Sequence, residues 1–210
     1  MVHKEAIPEI AFKFEENAYP SIKEKFQKKR RWELLCNQPP FMSLTLVQEF
    51  YANAVRKSRE EPPYKSHVRG VEVDFSPNSI RKVLKIRPRS FPKASYEERT
   101  KGDQRHEEIL NDICILGAEW FLDSNGNPNQ LKRGDFIPEE KGWLEIVRRS
   151  ILPTSNNSEV ILERAIMVHC IIKGIEVEVG KFIADNIQEM AKKNSSGSWI
   201  VFHGLPKTGG

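Results

Sequence analysis

Cysteine is scarce in this sequence, and what there is does not pair. Only Cys36, Cys114 and Cys170 occur among 210 residues, far apart and odd in number. That excludes a disulfide framework and the closely spaced Cys and His ligands of a zinc knuckle. Long apolar runs are also missing. No stretch approaches the roughly 18 residues of a membrane span, and the N-terminus lacks a signal-peptide core. The expectation is an intracellular protein with free thiols in a reducing compartment, nucleus or cytoplasm, and no membrane partner. There is no glycine loop for phosphate, since Gly197-Ser198 stands alone. Internal repeats and low-complexity tracts are absent too. No cofactor and no small-molecule substrate is implied.

What is present describes a globular domain. Hydrophobic residues make up 39% and charged residues 30% of the chain, a balance that folds rather than staying disordered. A chain of this length buries roughly 70% of its unfolded surface as one domain. The net charge of +4 hides an asymmetry. Residues 1–105 hold 22 Lys and Arg against 14 Asp and Glu, whereas residues 106–210 hold 11 against 15. Either the basic half carries a nucleic-acid face, or the two halves attract each other within or between copies, or the charge is ordinary surface.

The core is signalled most strongly by residues 158–193, which read helix, short strand, helix. Ser158 is a candidate N-cap, and Val160 to Ile172 are apolar around nearly the whole wheel, as in a helix buried on most sides. Gly174 supplies a stop. Ile175, Val177 and Val179 then alternate with Glu176 and Glu178, the period of a strand. A second helix follows Gly180, with Phe182, Ile183, Ile187 and Met190 inward.

Upstream, a helix from Ser21 to Cys36 turns Ile22 and Phe26 inward. Ser43 caps another, carrying Leu44, Val47, Tyr51, Ala54 and Val55 on one face. Val71, Val73 and Phe75 alternate as one arm of a hairpin, and Ser76-Pro77 start a short helix burying Ile80, Val83 and Leu84. A helix over 104–122 is expected to align Ile109, Ile113, Leu116 and Trp120. Asn125-Gly126-Asn127-Pro128 is a turn. A further helix opens at Asp135 or Pro138, turns Trp143, Ile146, Val147 and Ile151 inward, and closes at Pro153.

Two basic clusters are the candidate nucleic-acid contacts. The first is Lys28, Lys29, Arg30 and Arg31; the second is Arg81, Lys82, Lys85, Arg87 and Arg89. Each is either a phosphate-binding surface or a solvated face, and the first also fits a nuclear-localisation segment. Trp32 either stacks on a base or anchors the core. Arg164 stands apart from the polar arc of the central helix. It either faces a groove or, the reading favoured here, is a structural arginine buried against a carboxylate.

Catalytic arrangements do not assemble. Asp74, Asp112 and Glu119 are the nearest approach to the metal-binding acids of a transposase, but their pattern fits exposed strand and helix positions better. His169 and Cys170 are neighbours pointing about 100° apart on a helix, which suits the edge of a core better than metal ligation. Asp123-Ser124-Asn125-Gly126 is only superficially like an aspartic-protease loop and reads as a plain turn. Cys36 and Cys114 lack a histidine partner. No metal site and no enzyme are expected.

One resemblance covers most of the chain. Its residues are Glu49-Phe50-Tyr51-Ala52-Asn53, Val68-Arg69-Gly70-Val71 through Phe75-Ser76 to Ile80 and Leu84, and Gly142-Trp143 to Val147. They continue with Ile151-Leu152-Pro153-Thr154-Ser155-Asn156, Arg164-Ala165 and Gly174 to Gly180. In that order and spacing, from about Tyr19 to Met190, the chain resembles the Putative plant transposon protein domain, found in plant retrotransposon-derived reading frames. The resemblance implies a mobile-element origin and carries no established catalytic or binding residues. The ending from Trp199 departs from the family's further apolar helix and reads as a truncated or rerouted frame.

The expected architecture is mostly α. A single multi-helix domain surrounds the buried 160–172 helix, with short strands near 71–75 and 175–179 as candidates to pair. Residues 1–20 form an arm, 21–194 the domain and 195–210 an irregular tail. Two functions remain open: a non-enzymatic module binding DNA or RNA through phosphates, or a capsid-like structural module that self-associates.

Overall fold

The computed structural model describes residues 7–8, 22, 43–55, 58, 63–86, 96, 105–154, 156–175, 177–195 and 201–202. In chain order these form β1 (Ile7–Pro8), α1 (Leu44–Asn53), β2 (Lys65–Val68), β3 (Val71–Asp74) and α2 (Pro77–Val83). Next come α3 (His106–Ile113), β4 (Phe121–Leu122), β5 (Pro128–Lys132) and α4 (Pro138–Ile146). The chain continues through β6 (Glu159–Ile161), α5 (Leu162–Lys173), α6 (Val179–Ser195) and β7 (Val201–Phe202). The fold is mostly α with a minor β component, as expected.

Helix α5 lies at the centre. Ala165 to Ile171 are buried without a break, so the helix has almost no solvent face. It is covered by α3, α4, β5, β6 and the π-helical turn Val147–Ile151 that extends α4. Ile109, Ile113, Leu131, Phe136, Trp143 and Ile146 fill the space between these elements and α5. Ile22, expected inward, is helical and fully buried; the rest of the 21–36 helix lies outside the described residues. Gly174 ends α5 with φ +71, as the C′ position requires of a residue without Cβ.

Helix α6 belongs to two cores. Its first turns, with Val179, Phe182 and Ile183, pack on the main core. Its later turns, with Ile187, Met190 and Ala191, close a smaller cluster around Tyr51, Ala54 and Phe75. Gln188 joins the elements of that cluster. Its Nε2 donates to the carbonyl of Ala54, an orphan acceptor at the end of α1, at 2.7 Å, and its Oε1 accepts the amide of Tyr64 at 3.2 Å. The hairpin β2–β3 turns on Arg69 and Gly70, both with positive φ, the pattern of a tight two-residue turn.

Several expectations fail for identifiable reasons. Among the described residues of 175–179 none lies in a strand: Val177 and Val179 are buried in the core, and Val179 already begins α6. The β3 strand pairs with β2 instead. Ser158 does not cap α5, because Val160 and Ile161 pair with Leu131 and Gln130 before the helix starts at Leu162. The expected 104–122 helix stops at Ile113, where Cys114 turns extended and bridges Phe136; Leu116 is fully exposed. Val83, expected to be buried, is exposed, as is Val71 on the hairpin strand. Arg164 is half-buried but meets no carboxylate through its hydrogen bonds. Its Nε donates to the Leu152 carbonyl at 2.9 Å and its Nη2 to the Pro153 carbonyl at 3.1 Å, so it caps the end of the π turn.

Two predictions follow from these contacts. Arg164→Ala should lower stability by about 1–3 kcal/mol, since two half-buried carbonyls lose their donor; an unchanged urea midpoint would refute the cap. A Cβ on Gly180 would lie 2.6 Å from the Pro77 carbonyl oxygen, whereas one on Gly134 would meet nothing within 4 Å. Gly180→Ala should therefore cost about 1–3 kcal/mol by forcing α2 and α6 apart, and Gly134→Ala should leave the melting temperature unchanged.

Candidate anion-binding site

The sequence's basic clusters are only partly within the described residues. Lys28, Lys29, Arg30, Arg31, Arg87 and Arg89 lie outside them, as do Trp32 and Cys36. Arg81 is committed to structure: its Nη1 donates to both Glu178 oxygens, at 3.2 and 3.1 Å, and its Nη2 bonds Asn78. That pair docks α2 on the entry to α6. Lys82 and Lys85 are exposed on the same short helix and its exit. Of the second cluster, then, two described side chains remain available to a phosphate.

A denser basic site lies in the half of the chain whose net charge is negative. Between β4, β5, the entry to β6 and α4 opens a cavity of about 680 Å³, lined by Phe121, Lys132, Arg133, Lys141 and the 157–159 segment. Antiparallel pairing of β5 with β6 places Lys132 opposite Glu159 at its rim. The 3-10 turn Arg133–Asp135 then carries the chain over the opening, tied down where the Arg133 amide donates to the Ser158 carbonyl at 2.9 Å. Lys141, one turn into α4, reaches back to the Gly134 carbonyl at 2.8 Å. The Lys132 ammonium sits 5.3 Å from the centroid of the exposed Phe121 ring.

Behind the cavity stands Glu145, buried at 7% exposure, with three arginines on its two oxygens. Arg133 Nη2 and Arg148 Nη1 approach Oε1 at 3.0 and 2.9 Å, and Arg149 Nε approaches Oε2 at 3.0 Å. Arg148 and Arg149 fall three and four residues after Glu145, so consecutive arginines reach one carboxylate from one helix face. Arg148 also grips the cavity wall through the Asn156 carbonyl and the Asn157 side chain. One carboxylate thus balances one of three guanidiniums, and the surplus positive charge lies beside the opening. The Arg133 Nε–H is buried and has no acceptor.

A second cluster is electrostatically complete. His169, fully buried on α5, bonds Asp112 Oδ2 through Nε2 at 2.7 Å, with Glu108 at 3.7 Å. Among the described residues these three form the one group whose ligand atoms, within 4.8 Å of one another, would suit a metal ion. Yet Lys173 Nζ is 2.9 Å from Asp112 Oδ1, and Arg105 is 3.1 Å from Glu108. Each carboxylate already has a cationic partner. Burial works to raise the Asp112 pKa, but the hydrogen bonds from Lys173 and His169 together outweigh it and hold the carboxyl below its usual range. His169 is therefore deeper in the core than the edge position expected of it.

The remaining catalytic candidates stay apart. Asp74 accepts from Ser76 and Ser79 at the start of α2, and Glu119 is exposed on the 118–120 connection, so the trio with Asp112 does not converge. Asp123 accepts the amides of Asn125 and Asn127, which makes it the turn of β4–β5. Burial pushes the Cys114 thiol up to about 12, which leaves it protonated and inert. Cys114 and Cys170 are buried thiols in no disulfide.

Fold and site together describe a small, mostly helical domain whose most distinctive surface is a basic cavity beside an exposed aromatic. Residues 28–207 match the family described as the Putative plant retrotransposon-related domain, and the chain belongs to that family. The comparisons with curated proteins and with solved structures return no match. No helix of the described residues is long and apolar enough to cross a membrane.

The His169 network sets a pH dependence. A carboxyl whose folded pKa is depressed stabilises above its unfolded value of about 3.9 and loses that contribution as pH falls through the folded value. The gap in urea midpoint between the wild type and Asp112→Asn should therefore shrink below about pH 4. A gap that holds constant down to pH 2.5 would show that the Asp112 charge contributes nothing.

Proposed function

We propose that this domain is a non-enzymatic, nucleic-acid-associated module of a mobile element that holds the phosphate backbone of DNA or RNA. The observation that carries the reading is the surplus of positive charge at the cavity, where Lys132, Arg133 and Lys141 converge above the Glu145 cluster. The exposed Lys82 and Lys85 support it, and the proposed contact set also includes Lys28, Lys29, Arg30, Arg31, Arg87 and Arg89 from the sequence. Such contacts are backbone-directed and weak in sequence preference. Binding rather than catalysis is favoured because the nearest approach to an acid–base pair, His169 with Asp112, has its imidazole sealed in the core, away from any substrate. A nuclear or cytoplasmic site of action fits this reading.

A specific observation favours a second reading. Ile115, Leu116, Phe121 and Leu122 are exposed within a short stretch of chain, an apolar surface of the kind copies use to self-associate.

Fluorescence anisotropy of labelled duplex DNA and single-stranded RNA, titrated across a salt series, tests the first reading. Binding should weaken steeply with salt, with a slope in log K of about 0.7–0.9 per phosphate contacted. Absence of binding at 50 mM salt, together with a concentration-dependent dimer in light scattering, would replace it with the second.

A further inference from the structure

We propose that the cavity between β4, β5, β6 and α4 takes one unpaired nucleotide of a strand, its base on Phe121 and its phosphate on Arg133, Lys132 and Lys141. The inference rests on the nucleic-acid reading above and narrows it to single strands.

Size comes first. A cavity of about 680 Å³ lies within the range of sites that enclose a small ligand. It is open to solvent and large enough for a nucleotide, whereas the bases of a double helix are stacked and paired and offer no face to the Phe121 ring. Phe121 is 45% exposed at the opening although it is a large apolar residue on a strand. A base stacking there would cover it, and such stacking tolerates any sequence because every base has a π-face.

The cations are arranged for the phosphate that follows the base. Lys132 already lies over one face of the ring, so a base would take the other face, with the cation within reach of its phosphate. Arg133 is oriented by Glu145 through Nη2, and its Nε–H is buried with no acceptor. The side chain is 41% exposed, so its guanidinium offers donors to a phosphate oxygen, and a small turn of the group would satisfy the Nε–H as well. Asn157, held by Arg148, and Ser158 offer further polar groups on the facing wall.

Gly134 adds an independent sign. Its φ is not in the left-handed region, and a Cβ there would touch nothing within 4 Å. Neither backbone conformation nor packing demands glycine at this position. Its lack of a side chain leaves the 3-10 turn bare where the cavity opens.

The test compares a labelled 12-nucleotide single strand with the duplex of the same sequence, by anisotropy at 50 mM salt, for the wild type, Phe121→Ala, Arg133→Gln and Gly134→Leu. The wild type should prefer the single strand, and Phe121→Ala should lose about tenfold on it while duplex affinity holds. Because Arg133→Gln disturbs the Glu145 cluster and could impair folding, Gly134→Leu provides the second variant. It fills the opening without touching a core residue, and should weaken single-strand binding at an unchanged melting temperature. If single strand and duplex bind equally and neither Phe121→Ala nor Gly134→Leu changes either affinity, the cavity assignment is overturned and the broader reading stands. If neither nucleic acid binds, both fall. If Phe121→Ala abolishes a dimer and leaves both affinities intact, the ring belongs to an interface between copies and the assignment is likewise overturned.

Discussion

Glu145 is the only acidic side chain buried among the described residues, and the geometry of the basic cavity depends on it. A carboxylate removed from water is tolerated only with close partners, and here three guanidiniums supply them. They come from two parts of the surroundings. Arg133 belongs to the turn after β5, while Arg148 and Arg149 lie on the π turn that ends α4. Through Arg148 the same carboxylate fixes the 156–157 segment, which feeds directly into β6 and from there into α5. The cavity walls and the approach to the central helix are therefore set by one buried charge. Removing it would take the shared counter-charge from three cations at once, a larger loss than any single ion pair among them.

The parts of the fold that could be read from the sequence are those in which local pattern and tertiary environment agree. The apolar run of α5 demanded burial on every side and received it. Ser76-Pro77 capped α2 because a Ser hydroxyl and a proline φ suit those positions whatever surrounds them. The failures arise where one pattern serves two structures. Ile175, Val177 and Val179 alternate with charged residues, but alternation does not create a partner strand: Val177 and Val179 pack into the core, and Val179 already belongs to α6. Val160 and Ile161 look helical beside Leu162, yet β-branched residues opposite Leu131 and Gln130 are equally at home in a sheet. At Leu116 the helical pattern runs on past the end of the helix, since Cys114 is already extended and Gly117, with φ +85, turns the chain again.

Charge was harder to read than shape. Dividing the chain into a basic and an acidic half pointed to the first half, because runs such as Lys28 to Arg31 are visible without a fold. The cavity and the Glu145 cluster behind it together use five of the eleven Lys and Arg in the second half, none in a run longer than two. Folding gathers Lys132 and Arg133 from a strand end, Lys141 from a helix and Arg148-Arg149 from a turn. One local signal was available: Glu145 stands three and four residues before Arg148 and Arg149, the spacing of a helical charge cluster. Nothing local showed that Arg133 would join it.

The numbers of charges at these sites argue against a purely structural role for the cavity. Where this chain uses arginine for structure alone, it pairs it economically. Arg81 meets one carboxylate, Glu178, and Arg164 meets two carbonyls at the end of a helical turn. A buried ion pair is weak grounds for stability even at one to one, since an apolar pair of similar volume often does as well. Three arginines on one glutamate are a poorer stabiliser still, because the added cations repel one another. Their surplus charge does not point into the core, where it would be most costly. It lies beside an opening that also gathers Lys132 and Lys141, and it leaves one Arg133 N–H with no acceptor. An arrangement that costs stability within the fold while leaving donors at a cavity is what the proposed binding of a phosphate there would explain.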